Sequence, residues 1–269
     1  ESPHDAFGTG HAGTSISAAL GYCLARDARG EDYKVVTVTG DGALTAGMSF
    51  EAMNHAGELG TDLVVVLNDN EMSIAPNVGA LSNYLTQLRT DPTLHRAKED
   101  LERLVSRIPA IGGQMWKAAE RFKDTLRYVV VPGVLFEELG FAYYGPIDGH
   151  DIGLLQRVLR EAFARGGPVL VHTITQKGKG YAPAENDPGR LHAMRSARSR
   201  ENRSYAPSFS DIFGATLLDM ARVDKRIVAI TAAMPDGTGL DRFATELPEQ
   251  FFDVGIAEQH AVTLAAGMA

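Results

Sequence analysis

Apolar Ile16, Ala19, Leu20, Cys23 and Leu24 recur at helical spacing behind a Thr/Ser cap, and Gly30 closes the segment, so a helix is predicted from Thr14 to Arg26. The pattern then changes. "KVVTVT" is a β-branched run ending at Gly40, "SFEAMNHAGELG" reads as a second helix stopping at Gly57 and Gly60, and "DLVVVLN" is the next β-branched run. Continuously apolar strands alternating with helices predict an α/β fold whose parallel sheet is covered on both faces and gathers ligands at the carboxyl ends of its strands. Asp41 and Asn70 fall at two such ends. From about Val78 to Arg127 the chain is more polar and helical in pattern, with a break at "SRIPAIGG", which predicts a helical insertion over residues 78–130. The sheet is predicted to resume at "GFAYYGPIDGHD", followed by a helix from Ile152 to Arg165 and the strand "PVLVHTIT". A Gly-, Pro- and Arg-rich stretch without apolar period then reads as a linker. After Pro207 the alternation restarts with the helix "FSDIFGATLLDMARV", the strand "RIVAITA", a short helix near Leu240 to Leu247, and "FFDVGIAEQHAVTLAAGMA". The expected organisation is a first α/β domain over 1–189, a linker over 190–207, and the start of a second, similar α/β domain over 208–269.

Composition narrows the function classes. The 269 residues are 44% hydrophobic and 22% charged, which is ample material for a core. A formal net charge of −8 without a long single-sign block argues against nucleic acid or an anionic membrane as partner and favours small ligands. Five arginines between Arg190 and Arg203 run without interleaved aromatics from Arg195 onward, which is the pattern of a solvated connector. The single Cys23 excludes an internal disulfide framework and leaves no cysteine cluster for structural zinc; a cytoplasmic location is expected. No apolar run approaches the roughly 20 residues of a membrane span, and "ESPHDAFGTGH" does not read as a signal peptide. A start without Met and an end within a predicted helix read as cut ends.

Two glycine motifs compete for the chemistry. Gly8-Thr9-Gly10-His11-Ala12-Gly13 matches the dinucleotide-binding G-x-G-x-x-G, which would make the protein a nicotinamide-dependent dehydrogenase, but that motif needs a strand before its first glycine and "ESPHDAF" is a poor one. The alternative lies at the strand ends. A magnesium ion on a diphosphate takes hard oxygen ligands, one or two of them side chains; Asp41 offers a charged oxygen and Asn70 a neutral one, and adjacent parallel strands would bring them together. Gly40 and Gly42 let backbone approach a phosphate closely, and the N–H groups opening the next helix favour an anion. Taken singly, Asp41 also reads as a helix cap and Asn70 as a turn residue.

The segment "GDGALTAGMSFEAMNHAG" through "LNDNEMSI" resembles the thiamine-diphosphate motif as it occurs in the 1-deoxy-D-xylulose-5-phosphate synthase family, relatives of transketolase. "GHAGTSIS", "NVGALSNYL", "VVPGVLFEELGF", "GPIDGHD", "KGKGYAPAENDP" and "FDVGIAEQHAVTLAAGMA" extend the resemblance in order over nearly the whole chain. It implies a thiamine-diphosphate-binding fold, with a diphosphate-type first domain and a pyrimidine-type second domain. The implied activity is Mg²⁺-dependent decarboxylation of pyruvate and transfer of the two-carbon unit to D-glyceraldehyde 3-phosphate by a homodimer. By the same resemblance Asp41, Asn70 and the Met72 carbonyl would hold Mg²⁺, and Gly42, Ala43, His11, Ala12, Gly13 and Tyr181 would contact the cofactor. Glu258 would bind the aminopyrimidine and drive its activation, Lys177 would stand near the reacting centre, and His192 would lie on a segment that closes over the site. The apolar stretch "VGIAEQHAVTLAAG" is expected to shelter Glu258 and keep its carboxyl partly protonated. Family members also have an upstream segment with active-site histidines and, downstream, an aromatic against the aminopyrimidine, arginines for acceptor phosphate and a third domain. A chain without them could also be a catalytically silent cofactor-binding fragment.

Overall fold

The computed structural model describes residues 2, 4–72, 78–90, 133–186 and 206–269. Its first unit runs α1 (Ser15–Arg29), β1 (Val36–Gly40), α2 (Asp41–Leu44), α3 (Gly47–Leu59), β2 (Val64–Asp69), α4 (Ala80–Thr90), α5 (Val134–Glu138), β3 (Ala142–Asp148), α6 (Ile152–Arg165), β4 (Val169–Ile174) and α7 (Ala182–Asn186). The four strands form one parallel sheet in the order β1-β2-β4-β3. The predicted strand–helix–strand arrangement is present, with β1 and β2 as direct neighbours in the register Val36↔Val64 to Gly40↔Asn68.

Side-chain alternation explains why β2 and β4 read as unbroken apolar runs. Val65, Leu67 and Leu170 project into one core with Ile16, Leu20 and Cys23 of α1 and Met53 and Ala56 of α3. Val64, Val66, Val169 and Val171 project into a second core against Val158 and Ala162 of α6. Both faces of these central strands are therefore buried, whereas β1 at the sheet edge leaves Val36 and Val38 exposed, a departure from the expected two-sided cover. The helix ends also differ from expectation in detail. Gly30 closes α1 in the left-handed conformation, as its position suggested, but the Thr14 hydroxyl donates to the His11 carbonyl instead of capping the helix. Of the expected insertion over 78–130, α4 is present and residues 91–132 lie outside the described residues.

The second unit contains α8 (Phe209–Val223), β5 (Ala229–Thr231), α9 (Asp241–Glu246), a 3₁₀ turn (Pro248–Gln250), β6 (Phe251–Asp253) and α10 (Glu258–Met268), with β5 and β6 parallel. A reciprocal capping box between Ser208 and Asp211 starts α8 directly after Pro207. Leu218, Ala221, Ala229, Leu240 and Phe243 make its small core, while α10 has no buried residue. Most of the predicted linker, residues 190–205, lies outside the described residues.

Candidate functional site

The register of β1 on β2 decides what stands beside Asp41. Because Gly40 pairs with Asn68, the residue after Gly40 comes level with Asp69, and Asn70 lies one position further on. Asp41 is 3% exposed; its carboxyl accepts the backbone N–H groups of Gly42 and Glu71 and shares a hydrogen bond with Asp69. Burial and then the Asp69 charge push the Asp41 carboxyl up from 3.8 to about 6, against the lowering effect of the Gly42 N–H. Asp69 moves the other way. Its burial is opposed by the hydrogen bond from His172 and by the Arg89 guanidinium, which together hold it below the usual carboxylate range.

The three residues of the Asn68-Asp69-Asn70 tip have separate tasks. Asn68 Oδ1 accepts from the Thr175 hydroxyl at 2.7 Å, and Asp69 Oδ2 meets His172 Nε2 at 2.8 Å, so both are tied to β4 and its end. Asn70 Oδ1 accepts the Met72 N–H at 3.1 Å, closing the turn and leaving one lone pair of that oxygen uncommitted by this bond. Glu71 between them has φ 60°, an unusual conformation for a non-glycine residue. Its side chain is held by Thr86 and by an ion pair with Arg89, both on α4.

The glycine motif near the start meets this site from the other side. No strand precedes Gly8 among the described residues, which removes the dinucleotide-binding arrangement. Gly13 is buried at φ 82°, and a Cβ there would collide with Ala46. Ser49, fully buried, lies 3.2 Å from the Gly13 carbonyl and 2.9 Å from the Ala43 carbonyl through its hydroxyl, so the Gly13 and Ala43 backbones are joined. His11 and Ala12 are exposed beside them, with His11 Nδ1 2.9 Å from the Ala12 carbonyl. The predicted helix after Asp41 is a single turn, α2, before α3 begins anew at Gly47; the axial dipole it adds for an anion is small.

Lys177 reaches the same place from the end of β4. Desolvation lowers its ammonium pKa, opposed by the charge of Asp41, so the two side chains lie within electrostatic reach. Tyr181 is 52% exposed on the following turn. A methyl group placed on Gly255 would be in ordinary van der Waals contact with Thr45 and Val78, so the loop that leads to Glu258 runs beside the turn that follows Asp41. Glu258 itself, the first residue of α10, is exposed, and no residue of α10 is buried, so among the described residues its apolar sequence neighbours do not enclose the carboxyl. His192 lies outside the described residues.

Sequence reasoning missed Asp69, His172, Tyr143, Ser49 and Arg89. A signal existed for two of them. His172 interrupts the apolar run "PVLVHTIT", and Asp69 sits at a strand end whose role is assigned to Asn70; a polar residue in a strand buried on both faces requires a partner.

The donor set suits Mg²⁺ on a diphosphate. The ion accepts few protein oxygens and takes the remainder from phosphate and water, and a buried carboxyl crowded by a second carboxyl is the charge it would neutralise. Among the described residues no group of three or more His, Cys, Asp and Glu side chains converges into an all-protein cage. Comparison with known proteins agrees. A family model described as 1-deoxy-D-xylulose-5-phosphate synthase matches residues 1–175, and one described as the transketolase pyrimidine binding domain matches residues 206–269. The chain is 59% identical over 274 residues to a 1-deoxy-D-xylulose-5-phosphate synthase of Natranaerobius thermophilus, and 59% identical over 273 residues to one of Pelotomaculum thermopropionicum. All of this chain is covered in both cases, and it spans 43% of the length of each relative. A crystal structure of transketolase from Campylobacter jejuni aligns over 97% of this chain and 46% of its own, at 18% identity and a TM-score of 0.40. With about two thirds of its residues under one family model and matches over the whole of this chain at this identity, the chain belongs to the 1-deoxy-D-xylulose-5-phosphate synthase family.

Proposed function

We propose that this chain carries the diphosphate-binding half and the beginning of the pyrimidine-binding half of a thiamine-diphosphate enzyme that decarboxylates pyruvate and passes the two-carbon unit to D-glyceraldehyde 3-phosphate. The observation that supports it best is Asp41, a buried carboxyl at a strand end, raised to about 6 by its surroundings and adjoining the Asn70 turn. Thiamine diphosphate would supply the electron sink for decarboxylation. Asp41, Asn70 and the Met72 carbonyl would hold Mg²⁺ against the diphosphate. Gly42 and Ala43, with the His11-Ala12-Gly13 backbone fastened to them through Ser49, would form the wall the cofactor lies on. Lys177 would place positive charge beside the bound anion, where partial burial strengthens its attraction. Tyr181 would contact the cofactor from the same turn, and His192 would cover the site.

Glu258 would take the aminopyrimidine nitrogen, donating or accepting its proton as the ring changes tautomer. Its position at a helix start, on a loop that passes beside the Thr45 turn, supports this placement, and its exposure implies that the shelter comes from the cofactor and from surfaces packed against α10. The domain division at 189 and 208, the homodimer and the cytoplasmic location belong to the same proposal. No described helix is long and apolar enough to cross a membrane.

The test is titration with thiamine diphosphate in the presence and absence of Mg²⁺, followed by pyruvate and glyceraldehyde 3-phosphate with detection of CO₂. Mg²⁺-dependent binding followed by CO₂ release supports the proposal; binding without turnover reduces it to a cofactor-binding unit, and no Mg²⁺-dependent binding overturns it.

A further inference from the structure

Behind Asp41 a line of polar side chains runs through three strands on one face of the sheet. On β2 the inward series is Val65, Leu67, Asp69; on β4 it is Leu170, His172; on β3 it is Tyr143, packed against the same core. Asp69 is 1% exposed and His172 0%. Asp69 Oδ2 lies 2.8 Å from His172 Nε2, and His172 Nδ1 lies 2.7 Å from the Tyr143 hydroxyl. These partners assign the tautomer: Nε2–H donates to the carboxylate, and the tyrosine hydroxyl donates to Nδ1. The far end is itself immobilised. The Tyr143 ring stacks on Phe136 at 5.8 Å and 1°, and Gly133, at φ 88°, lies so close to the ring that a methyl group there would strike it.

Stability alone does not account for this line. Apolar residues continue the same inward series on β2 and β4, and replacing a buried polar pair by packed hydrophobic residues is often neutral or stabilising. What the line does is fix one carboxylate. With Oδ2 committed to His172, Asp69 presents Oδ1 to the Glu71 N–H at 3.3 Å, and that N–H also reaches Asp41. Asp41 thus meets an oriented neighbour.

We propose that Tyr143, His172 and Asp69 form a buried positioning chain that holds the Asp41 carboxylate and the Glu71 backbone in the geometry that receives the metal and diphosphate, with His172 as its central residue. It rests on the reading of Asp41 as the metal-holding carboxylate. His172 touches neither cofactor nor substrate; it acts through Asp69.

The experiment titrates Mn²⁺ into the intact chain by electron paramagnetic resonance at saturating thiamine diphosphate, well below the unfolding midpoint, for wild type, His172→Leu, His172→Gln and Tyr143→Phe. Nitrogen NMR of the His172 ring is recorded alongside. His172→Leu should weaken Mn²⁺ binding by about 10–100-fold, the range for removing a residue that orients a metal ligand. His172→Gln, whose amide can still donate to Asp69, should recover affinity to within about fivefold of wild type, the scale of one imperfect hydrogen bond. Tyr143→Phe should convert a single Nε2–H tautomer into a mixture while retaining the ring stack. Equal Mn²⁺ affinity in wild type and both His172 variants overturns the proposal, as does a wild-type ring protonated at Nδ1. If His172→Leu does not fold, unchanged Mn²⁺ affinity in Tyr143→Phe together with an unchanged tautomer overturns it. A wild type that binds no Mn²⁺ removes the Asp41 reading and this chain's role with it, whereas a wild type that binds while the variants match it removes only the positioning role.

Discussion

The two ends of the proposed cofactor site are built to different degrees. At the sheet end, Asp41 is buried, bonded by two backbone N–H groups and backed by Asp69, His172 and Tyr143. At the other end, Glu258 begins a helix with no buried residue, and Val262 on that helix is 72% exposed. The first end is organised by the chain's own strands. The second has a position but not an environment, and its chemistry depends on what packs against α10. Anchoring and activation are therefore separable, and this contrast is open to measurement.

The largest effect should come from replacing one member of each end. Asp41→Ala removes a buried charge partner, and a loss of about 4 kcal/mol, or about 1,000-fold in Mg²⁺-dependent cofactor affinity, is expected by calorimetric titration. Glu258→Ala should leave affinity nearly unchanged and abolish CO₂ release. Identical behaviour of the two variants would break the comparison.

A smaller effect should appear in the pH dependence of the cofactor-free protein. The Asp41 carboxyl stands at about 6 when folded against 3.8 ordinarily, so between those values the folded state holds the extra proton. Unfolding free energy should accordingly fall as pH rises from about 4 to about 6, by up to about 3 kcal/mol from this group. Asp69 has the opposite sign: its lowered folded pKa gives stability that is present above 3.8 and is lost only as pH falls below that value, outside the window. Urea unfolding at intervals from pH 4 to 7 measures the slope, and Asp41→Asn should flatten it; an unchanged slope in that variant would show that the carboxyl is not strained by its surroundings.

Packing supplies the next test. A Cβ on Gly57 would strike the Leu139 carbonyl in the first unit, and one on Gly214 would strike the Gly239 carbonyl in the second. Each alanine substitution should cost about 1–3 kcal/mol in urea unfolding by overpacking. If only Gly57→Ala lowers stability, the second unit is the looser of the two in its helix packing as well. The smallest effect is expected at the surface of α10, where Val262→Ser should change stability by no more than about 0.5 kcal/mol. A clear loss there would mean that α10 is covered in solution.

Much of the first unit was legible because its signals are local. β-branched runs, helix-period apolar residues and Gly30 state their roles within a few positions, and "GDG" with "NDNEMSI" marks two strand ends. The edge exposure of Val36 and Val38 was not legible, since a strand's place in the sheet order is not written in its own residues. The exposure of Glu258 was not legible for a related reason: apolar neighbours in sequence do not determine what packs over a helix's first residue, which depends on elements brought there by the fold.

The sequence by itself determined the α/β class, the two strand tips and the family to which the chain belongs, because periodicity and motif spacing are properties of short segments. Only the tertiary structure decided that Asp69 stands beside Asp41, that Ser49 joins the Gly13 and Ala43 backbones, and that His172, 103 residues from Asp69, completes a line to Tyr143. Those pairings depend on strand register, and the shifted acidity of Asp41 depends on burial and on a neighbouring charge. Both come into being when distant segments pack and water is excluded.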